Sequence, residues 1–189
     1  MAQPEIERLS ALIGDVYDAA LDPALWPSVL EKICAFASGS AANIFSQDAI
    51  NKTANRYFVW GIPPYYDSLY IEKYAAINPL FPSVLFFPVG AVYEQTDIMP
   101  IAELRESRLY KEWMQPQGYI DFIGSTLEKS ASSAAFLVLI RHERDGWVDH
   151  QTRRRMRLIA PHVRRAILIA KVIDLNKVEA LHWRALSMG

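Results

Sequence analysis

The chain has 189 residues, 51 % of them hydrophobic and 22 % charged, with a net charge of −1. That composition supports one buried core, excludes a disordered polymer, and leaves no electrostatic footprint for gripping nucleic acid or an anionic membrane directly. The single cysteine, Cys34, excludes a disulfide framework. No apolar run reaches the roughly 18 residues of a membrane span, and Met1 to Arg8 lacks a signal-peptide core, so a cytoplasmic placement is expected.

Ile6, Leu9, Leu12, Ile13, Val16 and Leu21 recur at helical spacing and predict a first helix from about Pro4 to Leu21. Asp22-Pro23 is a helix-start signal. The second helix runs to about Ala37 with Leu25, Val29, Ile33 and Phe36 on its apolar face, and Ser38-Gly39 ends it. Residues Ala41 to Gln47 and Arg56 to Gly61 read as a hairpin of two strands around a polar turn. A third helix, Tyr65 to Ala75, opens at Pro63-Pro64 and breaks at Asn78-Pro79.

Gly90 to Glu94 is a short strand, and helical segments follow around Ile101 to Leu104 and over Glu106 to Met114, stopped by Pro116 and Gly118. Tyr119 to Glu128 alternates as a strand. Ala134 to Ile140 is a continuous apolar run, the pattern of a central strand buried on both faces. From Asp149 to about Leu186 the pattern is helical, and Pro161 inside it is expected to kink or split the helix.

The expected fold class is therefore α+β: a PAS/GAF-like, five-stranded, mainly antiparallel sheet with helices on one side, an N-terminal helix pair and a long C-terminal helix. Residues 1–148 are expected to form the sensory body, and 149–189 the long helix used for dimerisation or linkage.

Three stretches resemble the N-terminal regions of bacterial LuxR-type helix-turn-helix regulators. They are Tyr17 to Pro23 with Trp26-Pro27; Ser107, Tyr110, Glu112-Trp113-Met114, Pro116, Gly118 and Asp121; and Leu158 to Ala166, which is similar to a leucine-x-proline-histidine-hydrophobic-x-arginine-alanine signature of that group. The resemblance implies a two-part regulator whose front half senses a small molecule and whose far C-terminal module binds DNA. Three residues follow Leu186, too few for such a module, so DNA is expected to be reached only through a segment absent from this chain.

Tyr66, Tyr70 and Tyr74, spaced by four, share a helix face in this reading. With Asn78-Pro79 they resemble the acyl-homoserine-lactone-binding segment of quorum-sensing LuxR receptors, except that Asn78 stands where an aspartate is found and the spacing is one residue shorter. Alternation in the second strand sets Tyr57 and Val59 against Phe58 and Trp60. Trp60 is assigned to the wall of a pocket, with Tyr57 beside it and Trp113 and Phe122 closing the other side. The competing reading is that all these aromatics simply pack the core.

Past Pro161, Leu168, Val172, Leu175, Val178 and Leu181 form a narrow apolar stripe, expected in a homodimer seam or, alternatively, folded back on the first two helices. Arg153, Arg154, Arg155, Arg157, Arg164 and Arg165 read either as a phosphate contact or as a salt-bridged helix face, with Glu103, Glu106, Glu143, Asp145 and Asp149 as partners. The four histidines are dispersed, so neither metal nor cofactor is expected, and no nucleophile, phosphate-loop or metalloprotease motif occurs. The function read from the sequence is a non-enzymatic, ligand-sensing, dimerising regulatory domain that binds a small apolar or aromatic molecule. The alternative is a ligand-free dimerisation or protein-interaction module of the same fold.

Overall fold

A computed structural model describes residues 4–187, with side chains as far as Asp174. The five expected strands are all present: β1 (Ala41–Asp48), β2 (Thr53–Trp60), β3 (Val92–Glu94), β4 (Tyr119–Lys129) and β5 (Ser133–His142). They form one sheet in the order β2-β1-β5-β4-β3 with every pair antiparallel. The apolar strand β5 is the central one. Its side chains alternate between two separate cores, Ala135, Leu137 and Leu139 entering one and Ala134, Phe136 and Ile140 the other.

Helices cover both faces of the sheet, not one. On the first face lie α1 (Glu5–Leu21), α2 (Trp26–Ala37) and the start of a long helix, α7 (His150–Ser187). Asp22 opens the turn before α2, its Oδ1 accepting from the Ala24 amide at 3.1 Å. Leu12, Val16, Ala19 and Ala20 form the buried face of α1, whereas Ile6, Leu21 and Leu25 are exposed although the periodicity placed them inside. They sit at element ends, where no neighbour covers them.

The second face is roofed by short segments between β2 and β4. These are α3 (Pro64–Leu69), continued by a π-turn over Tyr70–Tyr74, then α4 (Phe81–Val84), α5 (Gln95–Ile98), α6 (Ile101–Glu106) and a second π-turn over Tyr110–Met114. Gly61, at φ +80°, joins β2 to this roof. A side chain there would bring its Cβ to 2.6 Å from the Ser40 carbonyl oxygen, so only glycine fits.

Pro161 does not split α7, which runs unbroken from His150 to Ser187. The carbonyl that the proline leaves without a donor belongs to Arg157, an exposed residue, so water can take up that hydrogen bond. The first part of α7 is core: Met156, Ile159, Ala160, Val163 and Ala166 are buried against α1, α2 and the sheet. Beyond them Leu168 is half-buried while Ile169 and Val172 are exposed. Leu175, Val178 and Leu181 have side chains outside the described residues. The arginines pair with acids other than those expected, Arg153 with Glu94 and Asp97, and Arg154 and Arg155 with Glu5, because β3 and α1, not the loop after β5, lie beside them.

His162 on α7 meets Tyr17 on α1, Nδ1 to hydroxyl, at 3.2 Å. Burial, and then the Arg165 charge, hold its pKa below the ordinary histidine value. The unfolded chain therefore takes up the proton more readily, and protonation opposes folding. The stability that comes from the neutral ring is expected to be full above about pH 6.5 and to fall as pH drops from there through the lower folded-state value. Denaturant midpoints of the wild type and His162→Gln between pH 5 and 8 should show this slope only in the wild type; parallel curves would refute it.

Candidate functional site

Between the sheet and the roof lies a cavity of about 90 Å³. Its floor is built by alternation: Asn43, Phe45 and Gln47 of β1, Phe136, Val138 and Ile140 of β5, and Phe122 of β4 all project to the same face. The roof contributes Tyr70, Asn78, Phe81, Leu109 and Trp113, so the lining is mostly rings and aliphatic chains.

A β-bulge decides what β2 adds. Across the β1–β2 pair Ile44 faces Phe58 and Phe45 faces Arg56, which leaves Tyr57 without an opposite residue. The inserted residue inverts the alternation below it. Phe58 stays on the α1–α2 face, stacked on Trp26 at 5.3 Å. Arg56, which strict alternation sets beside Phe58 and Trp60, turns to the cavity instead. Its guanidinium lies 5.3 Å from the Phe45 ring and 5.6 Å from the Tyr70 ring, and its Nε donates to Asp67 Oδ1 at 2.6 Å.

The expected site residues divide accordingly. Tyr70, Asn78, Trp113 and Phe122 line the cavity together. Trp60 packs on the opposite core with the N-terminal helices. Tyr57, the bulged residue, is 45 % exposed and donates to Ser46 Oγ at 2.9 Å. The spacing of four fails for the tyrosines because the chain widens into a π-turn at Tyr70, where a helix of 3.6 residues per turn was assumed. Tyr66 therefore borders a separate surface depression with His142 and Arg144, and its carbonyl accepts the Trp113 indole N–H at 2.7 Å. Tyr74 is buried elsewhere in the roof and donates to Glu112 at 2.7 Å.

Glu112 joins the two π-turns. It accepts from Arg108, Lys73 and Tyr74, and these donors, Arg108 foremost, hold its carboxyl well below the usual range. Within the cavity a polar chain runs from Asn78 Nδ2, which donates to the Tyr70 hydroxyl at 2.9 Å, to that hydroxyl's long 3.5 Å contact with Gln47 Oε1. Gln47 Nε2 donates to the Ala75 carbonyl at 2.6 Å, and Asn78 Oδ1 accepts the Leu80 amide at 2.9 Å. Burial raises the Tyr70 hydroxyl's pKa, so it stays a neutral donor. Two cavity-lining groups remain orphaned: Arg56 Nη1 and Asn43 Oδ1 are buried with no hydrogen-bond partner.

Sequence reading missed Asn43, Phe45, Gln47 and Arg56. A signal existed for the first three, since Asn43 and Gln47 are polar residues that alternate with Phe45 in a strand next to the apolar β5. None existed for Arg56, because the bulge that turns it depends on pairing with β1. Cys34 lies in the α1–α2 core, and burial raises its thiol pKa. Among the described residues no group of histidine, cysteine and carboxylate side chains is placed to hold a metal ion, and no helix is long and apolar enough to cross a membrane.

No family model and no curated protein sequence matches the chain. Solved structures do match its fold. The LBD domain of VqsR from Pseudomonas aeruginosa has a TM-score of 0.69 at 12 % identity, covering 85 % of this chain and 94 % of that one. The N-acylhomoserine lactone-dependent LuxR family transcription factor CepR2 from Burkholderia cenocepacia has a TM-score of 0.61 at 13 % identity, covering 89 % and 98 %. The phycoerythrobilin-bound GAF domain of a cyanobacterial phytochrome has 0.52 at 10 % identity, covering 91 % and 98 %. At such identities the likeness is one of fold alone: a PAS/GAF-like fold, shared with the LuxR-family and GAF structures named.

Proposed function

We propose that this chain is the small-molecule-sensing and dimerising part of a LuxR-type transcription regulator, acting on DNA through a helix-turn-helix module that these 189 residues do not include. The observation that carries the reading is the ring-lined cavity between the sheet and a roof of short, π-turned segments. The strands that floor the cavity also back onto α7: Phe122 lines the cavity while its neighbour Ile123 packs in the core that holds Met156 and Ile159. A ligand that fits one sheet–roof packing better than another therefore biases the seat of α7. The exposed Ile169 and Val172 support a seam between two copies along α7, with Leu168, Leu175, Val178 and Leu181 in the same stripe.

The cavity's size restricts the ligand. At about 90 Å³ it is smaller than the ~150 Å³ hole that takes up benzene. The occupant is a molecule of few heavy atoms, or one that enters as the roof lifts; an N-acylhomoserine lactone, the class named for CepR2, requires the lift. Thermal unfolding with a series from small amides and ketones to N-acylhomoserine lactones of rising chain length tests this. A binding subset should raise the melting temperature by about 5–10 °C at a hundredfold excess over Kd, and Val138→Phe, which fills the cavity, should cancel the rise. If no compound shifts either protein, the second reading stands: a ligand-free interaction module, which the small volume favours.

A further inference from the structure

We infer that the cavity selects an uncharged ligand bearing a carbonyl-type acceptor beside an N–H or O–H donor, the acceptor held by Arg56 and the donor by Asn43. The inference rests on the reading of the cavity as a ligand site and specifies the chemistry of its occupant.

Asn43 is 4 % exposed and the Arg56 side chain 12 %, yet Asn43 Oδ1 and Arg56 Nη1 have no partner. A buried donor or acceptor left unmade costs more than a typical hydrogen bond returns, so such groups are filled by water or by a ligand. Of the other amide and hydroxyl groups that line the cavity, Gln47, Tyr70 and Asn78 are already engaged in their own chain of hydrogen bonds. The orphaned pair is thus where a ligand's polar end gains most.

The two groups are placed together. Asn43 and Phe45 share one face of β1, and Arg56 stands opposite Phe45 on β2. They are diagonal neighbours across the strand pair, a separation within reach of long side chains. Arg56 is held in place by the rings of Phe45 and Tyr70 and by Asp67, so little side-chain freedom is lost when it donates.

Charge sets the remaining condition. Among the described residues Arg56 is the only charged one that lines the cavity, and Asp67 already neutralises it at 2.6 Å. A carboxylate ligand would bring a second negative charge to a neutral pair inside an apolar hole, where desolvation is not repaid. A neutral carbonyl accepts from Nη1 without that penalty.

Butyramide, 2-butanone and butyrate have similar bodies, small enough for the cavity, and differ in the head. Titrating each into the full chain and following ¹⁵N–¹H spectra at pH 7.5 gives three Kd values. Butyramide should bind at least about 10-fold tighter than butyrate and about 3-fold tighter than 2-butanone. Asn43→Leu should erase the second margin, and Asp67→Asn, which leaves Arg56 unneutralised, should shift the first toward butyrate. Butyrate binding the wild type as well as butyramide does would overturn the inference. Equal affinity for all three overturns it too, with the cavity still a ligand site and the orphaned pair served by water. No binding by any probe overturns the inference, while the ligand-site reading is decided separately by the melting-temperature series with larger compounds. The wild-type ranking decides the matter even if a variant fails to fold.

Discussion

Trp26→Ala is expected to destabilise the domain by about 3–5 kcal/mol, the range for truncating a buried tryptophan. Trp26 is fully buried at the first turn of α2 and stacks on Phe58 of β2 with ring planes 25° apart. It joins α2 directly to β2, and its removal leaves a hole in a close-packed core. For a domain of this size the melting temperature should fall by roughly 6–20 °C, measured by circular dichroism against Tyr65→Ala, an exposed-residue control expected within about 0.5 kcal/mol of wild type. A loss below about 1 kcal/mol would mean that α2 is not anchored as described. The consequence reaches the cavity, because β2 carries both Phe58 on one face and Arg56 on the other.

Val172→Glu is expected to convert the proposed dimer to monomers without touching the fold. Val172 is 57 % exposed in the single chain, so the carboxylate stays in water when the protein is alone. In a seam between two copies it is buried twice, unpaired and facing its own symmetry mate. The dimer Kd should rise by at least about 100-fold, equivalent to roughly 2.7 kcal/mol. Light scattering after size exclusion at several concentrations measures the mass, and an unchanged melting temperature of the dilute monomer confirms that the body is intact. A variant that stays dimeric places the seam elsewhere and returns the exposed stripe to solvent.

The two predictions probe different ends of one mechanical path. Trp26 holds the sheet to the helices on which α7 rests, while Val172 lies where α7 leaves them. Between them Met156, Ile159 and Val163 lock the first part of α7 into the core. On the proposed function, a movement of β4 or β5 at the cavity floor would reach α7 as a change in its seat.

By itself the sequence determined the five strands, the helix pair with its Asp22-Pro23 entry, the central place of the apolar run that became β5, and four of the cavity's residues, Tyr70, Asn78, Trp113 and Phe122. The elements are a local matter of period, turn chemistry or a break at proline, and local rules reach that far. Only the tertiary structure decided that helices cover both sheet faces, that Trp60 turns from the cavity and Arg56 into it, that Tyr66, Tyr70 and Tyr74 go to three different places, and that α7 passes Pro161 unbroken. The reason is the same in each case. A bulge exists only against a partner strand, a π-turn holds only where packing favours the wider turn, and a proline in a helix is tolerated only where its orphaned carbonyl meets water. None of these conditions is carried by the residues next to it in the chain.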